Sequence, residues 1–121
     1  MTETMKVIKT ARDLVAQGWS KYAPARDKHR HATNLFGARV EAVSLDGAVK
    51  LALFSLPLKN RPRTERSVLK KLKSVVQEDV SFWVSEGHGP YDCLEAYNDS
   101  VAKTRKNVLQ VFDAVLEEAA K

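Results

Sequence analysis

The chain has 121 residues, 44% hydrophobic and 29% charged, the balance of one soluble globular unit able to bury a core without metal or disulfide support. Its one cysteine, Cys93, excludes an internal disulfide framework, and no apolar run reaches the ~18 residues of a membrane span. The start, Met1-Thr2-Glu3-Thr4-Met5-Lys6, lacks the basic-then-apolar layout of a secretory signal. The expectation is a cytoplasmic protein, residues 1–121 forming one domain, with no membrane contact and no cofactor.

The net charge is +5, unevenly distributed. Between Lys59 and Lys73 lie seven basic residues and one acid, Glu65, a local +6 that leaves the rest of the chain at −1. A field of this kind attracts an acidic partner, whether a protein face, a nucleic acid or an anionic surface.

In chain order, Thr2 or Thr4 can cap a first helix, whose apolar stripe runs through Met5, Ile8, Ala11 and Leu14 or Val15 to a stop at Gly18. Trp19, just beyond, reads as an anchor that folds back onto the core. Residues 20–34 contain Pro24 and show no period, so they read as a long and mobile loop, with Lys21, Arg26, Lys28 and Arg30 as its cations. His29 and His31 alternate within it, but two imidazoles without a third ligand do not make a zinc site. Residues 38–45 alternate loosely and suggest a short strand or hairpin. Ser44 or Asp46 then caps a second helix carrying Gly47, Ala48, Leu51, Ala52 and Phe54, whose small residues would admit a neighbouring helix. Pro57 and Pro62 bracket a connection that neither flanking helix enters. Thr64 is the expected cap of a third helix, with Val68, Leu69, Leu72, Val75, Val76, Val80 and Trp83 on one face and Arg66, Lys70 and Lys73 elsewhere. A break or bend is expected near Ser81, and Gly87-His88-Gly89-Pro90 ends it. The last helix starts at Thr104 and packs with Val108, Val111, Phe112, Val115 and Ala119. The fold class is thus mainly α, four to five helices in one compact domain with at most a short strand pair.

Three places could carry function. Arg61, Arg63, Arg66, Lys70 and Lys73, joined by Arg26, Lys28 and Arg30 from the loop, form a candidate partner-binding surface. With no aromatic residue interleaved, any nucleic-acid contact there would be to phosphates and weakly sequence-specific. Tyr97-Asn98-Asp99, with Trp19 and Thr104, reads as a structural corner fixing the approach to the last helix, or as the floor of a pocket in which Asp99 acts as an acid or base. His88 and Cys93, five residues apart, are the other catalytic candidates, but a Cys–His site needs an orienting third group that the sequence does not show. No phosphate loop, nucleophile elbow or zinc-type spacing is present.

The elements Gly18-Trp19, Asp46-Gly47-Ala48, Tyr97-Asn98-Asp99, Thr104 and the Val-rich stretch from Val108 to Ala119 together resemble a family of small uncharacterised bacterial and phage proteins, a domain of unknown function. The resemblance spans most of the chain, with Tyr97 where the family tends to carry Trp. It implies the helical fold and no activity. The functional expectation is a non-enzymatic accessory protein, of phage or mobile-element type, acting by protein–protein contact. The alternative is a backbone-directed nucleic-acid-binding protein using Lys59 to Lys73, and an enzyme using Asp99 or Cys93 ranks third.

Overall fold

The Thr2 hydroxyl accepts the amide of Met5 and starts α1, Glu3–Gln17, in the computed structural model of the chain, which describes residues 1–121 throughout. Val7, Ile8, Ala11 and Val15 recur at helical spacing and are fully buried. α1 stops at Gly18, where the chain passes so close to a later segment that a Cβ would lie 2.2 Å from the Glu41 carbonyl oxygen. Two short strands follow, β1, Ala25–Arg26, and β2, Ala42–Val43, paired antiparallel with Ala25 opposite Val43. The remaining elements are α2, Leu45–Ser55; α3, Arg61–Val76; α4, Ser81–Ser85; α5, Pro90–Ala96, running on into one π-helical turn, Tyr97–Val101; and α6, Arg105–Ala120.

α1 is the hub, packed against α2, α3 and α6. One continuous core joins its inner face to Leu45, Val49 and Leu53 of α2, Val68, Leu72 and Val76 of α3, Cys93 and Leu94 of α5, and Val108, Phe112 and Val115 of α6. α5 lies across the other side of α3 and α2, so the π turn ends beside the Gly18–Ala25 segment. The mainly α architecture, one domain with a two-stranded sheet, is the one the sequence predicts; it contains six helices rather than four or five.

Several local expectations change. The third helix starts four residues earlier than Thr64: Asn60 is the cap, its side chain accepting the Arg63 amide, and Pro62 sits in the first turn, where a missing N–H costs nothing. Thr64 is buried one turn inside. The helix ends at Val76; residues 77–80 form a turn, and Ser81–Ser85 are a separate short helix. The small residue at Gly47 admits a loop rather than a helix, since a Cβ there would meet the Pro24 carbonyl oxygen at 2.5 Å. Phe54 faces solvent, 67% exposed, because it lies about 180° around α2 from buried Leu45. Residues 20–34 include β1 and a turn built on Asp27, whose Oδ1 accepts the amides of His29 and His31. Those donors hold the Asp27 carboxyl below its ordinary pKa.

Candidate functional site

The corner at Asn98 is a closed hydrogen-bond network. Asn98 has no exposed surface, and its Oδ1 accepts two donors, the Trp19 indole Nε1–H at 2.7 Å and the Leu45 amide at 3.0 Å. Its Nδ2 donates to the Ser20 carbonyl at 3.0 Å and to Asp99 Oδ1 at 2.9 Å. Asp99 Oδ1 also takes the Tyr22 amide at 2.8 Å, which holds Tyr22 at φ 70°, and Lys21 Nζ donates to the Ala102 carbonyl. One side chain thus joins the end of α1, the start of α2 and the end of α5. The π turn makes this possible: one residue more than an α turn lets the chain bring Asn98 inward while Asp99 turns to the loop. Thr104 caps α6, and Asn107 Oδ1 reaches back to accept the amides of Lys103 and Thr104.

Asp99 also borders a cavity of about 140 Å³ with Tyr22, Pro24, Ser44, Asp46 and Glu95. Asp46 is 3% exposed, its Oδ1 accepting the Ser44 hydroxyl at 2.8 Å, and burial pushes its carboxyl above the ordinary range. Glu95 is raised by burial and then by the negative charge of Asp46, Asp99 and Asp92. These carboxylates share a wall, yet no three His, Cys, Asp or Glu side chains converge at metal-binding geometry anywhere in the chain. Cys93 and His88 do not form a thiol–imidazole pair: the buried Sγ lies 3.9 Å from the His88 carbonyl, and His88 Nδ1 faces Asp92 Oδ2 at 3.6 Å.

The basic segment divides. Arg63, Arg66, Lys70 and Lys73 follow one another at three- and four-residue steps, which places them within about 80° on α3, opposite the buried Leu72. None is in an ion pair. Arg61 points elsewhere, donating to the Leu56 carbonyl. The loop cations are not brought to this face by any hydrogen bond. Arg26 clips its own loop through the carbonyls of Lys21 and Arg30, Arg30 reaches the Trp19 carbonyl at φ 68°, and Lys28 is exposed. Two aromatic features escaped the sequence reading. Phe36 and Phe54 meet in the open, ring centroids 4.9 Å apart and tilted by 52°, and Tyr91, under Lys50 Nζ, donates its hydroxyl to Glu65 Oε2 at 2.7 Å.

The profile of a family of unknown function, DUF6197, matches residues 1–118, nearly the whole chain. The chain belongs to DUF6197. No curated protein and no solved structure is detectably similar to it. Membership of DUF6197 brings no activity with it, so the functional reading rests on the surfaces just described. No helix is long and apolar enough to cross a membrane.

Proposed function

We propose that this DUF6197 chain is a non-enzymatic accessory protein of the cytoplasm, of the kind phage and mobile elements encode, that docks an acidic face of another protein on α3. The observation that carries this reading is the row Arg63, Arg66, Lys70 and Lys73, four cations about 15 Å end to end with no carboxylate paired to any of them. Unpaired like charges on one helix face repel, and that repulsion is relieved when an acidic partner covers them. A protein partner fits better than nucleic acid for two reasons. No aromatic side chain stands within the row to stack on bases, and Asp46, Asp92, Glu95 and Asp99 make the α5 side of the molecule repel phosphates. The enzymatic alternative has less support, because Asp99 is held by the Tyr22 amide and Asn98, and the Cys93 thiol is buried.

The test is capture from an extract of the native cell by the tagged full chain, with and without nuclease, compared with Arg66→Glu/Lys70→Glu. Nuclease-resistant capture of a protein, lost at high salt and lost in the double variant, is the expected result. Capture that nuclease removes, or a mobility shift of plain duplex DNA at low salt, would assign the row to phosphates instead.

A further inference from the structure

The cleft beside α2 has no role in anything described so far. It measures about 540 Å³ and is lined by Phe36, Lys50, Leu53, Phe54, Glu65 and Tyr91, with Arg61 at its rim. Its apolar wall is set by local chemistry. Asn34 Oδ1 accepts the Phe36 amide in a tight turn that lifts the ring over Phe54, and even so Phe36 is 53% and Phe54 67% exposed. Two adjacent phenyl rings, both more than half exposed at the mouth of a concavity, make the kind of apolar patch that binding sites present. The opposite wall is polar and preset: Lys50 sits 4.8 Å above the Tyr91 ring, and Tyr91 holds Glu65 through its hydroxyl.

Charge decides what fits. The one carboxylate in the cleft, Glu65, already accepts a hydrogen bond, whereas neither Lys50 nor Arg61 is paired with an acid. We infer that the cleft receives a segment of a partner protein that presents an apolar side chain to Phe36 and Phe54 and an adjacent carboxylate to Lys50 and Arg61. This rests on the reading of the molecule as a protein-binding module and assigns the apolar anchor of the same partner whose acidic face meets α3.

The experiment uses the full chain, isotope-labelled, titrated with a short synthetic peptide in which Leu and Phe alternate with Glu, and with a version carrying Lys for Glu. Amide shifts are expected at Phe36, Lys50, Phe54 and Tyr91 with the acidic peptide, with the Lys version binding more weakly. Phe54→Ser and Phe36→Ser, both at exposed positions, keep the melting temperature and weaken binding about tenfold, the consequence of losing one buried aromatic contact. Equal binding of both peptides, or a Phe54→Ser protein that binds as well as the parent, overturns the proposal. So does a concentration-dependent dimer that Phe54→Ser abolishes, which gives the cleft to a second copy, or a single-stranded oligonucleotide that shifts the same amides more strongly. Failure here leaves the α3 reading standing if Arg66→Glu/Lys70→Glu still loses the captured protein while Phe54→Ser retains it. Both readings fall if neither variant changes capture.

Discussion

The indole of Trp19 and the amide of Asn98, 79 residues apart, meet in a 2.7 Å hydrogen bond with no solvent around the asparagine. Removing Asn98 would strand the Trp19 Nε1–H, the Leu45 amide and the Ser20 carbonyl together. At about 1–3 kcal/mol for each stranded buried group, partly relieved by water, Asn98→Ala should lose about 3–5 kcal/mol in urea unfolding. Trp19→Phe, which removes one donor and keeps most of the ring, should lose about 1–2 kcal/mol. Equal losses from the two would mean that Asn98 does not bind its partners as a unit.

Gly47 gives a prediction with a sign opposite to the usual rule. Replacing a helical Gly by Ala ordinarily stabilises by about 1 kcal/mol. Here the new methyl would meet the Pro24 carbonyl oxygen at 2.5 Å and the Ser44 Oγ at 2.9 Å, the one backbone and the other the buried cap of α2. Gly47→Ala should therefore lower the melting temperature, and a rise would show that the Gly18–Pro24 segment moves aside freely.

Asp46 supplies a pH dependence. Burial raises its carboxyl above the unfolded value of 3.8, so the folded chain holds its proton more tightly than the unfolded one. Stability from this group is fully present below pH 3.8 and is lost as pH rises through the higher folded value. Asp46→Asn keeps an acceptor for the Ser44 hydroxyl and removes the titration. The variant should match the parent in strong acid and melt higher at neutral pH, as thermal scans across that range would reveal. A constant difference at all pH values would contradict the assignment.

The α3 row should be neutral to folding. Arg66 and Lys70 are exposed and unpaired, so Arg66→Glu/Lys70→Glu should change stability by less than about 0.5 kcal/mol while changing binding. A large fall in melting temperature would mean that these cations support the fold through contacts other than ion pairs.

What the sequence made legible was local. Ser44 and Thr104 start their helices as expected because a cap depends on residues within one turn. Thr64 misled because it has the same chemistry as a cap, but Pro62 tolerates the first turn, which moved the start back to Asn60. The helix at Pro90–Ala96 was missed because Pro90 reads as a terminator, although it stands at the first helical position. Phe54 falls on the second helix as the sequence predicts, and its angle on α2, which residue type does not carry, places it outside. Trp19 is grouped with Asn98 at one corner by the sequence, but the Leu45 amide and the Ser20 carbonyl are not, since nothing periodic joins positions 20, 45 and 98. The basic row was visible as composition, whereas its division from Arg61 and the loop cations needed the folded chain.

The network at Asn98 also sets a schedule. During synthesis Trp19 and Leu45 emerge long before the residue that satisfies them, and Arg12 waits longer still for Asp113, 101 positions on. The early helices are thus left with unmet donors until the last third of the chain has left the ribosome. Arrested nascent chains ending before Asn98 should remain open to protease, and those extended past Asp113 should resist it.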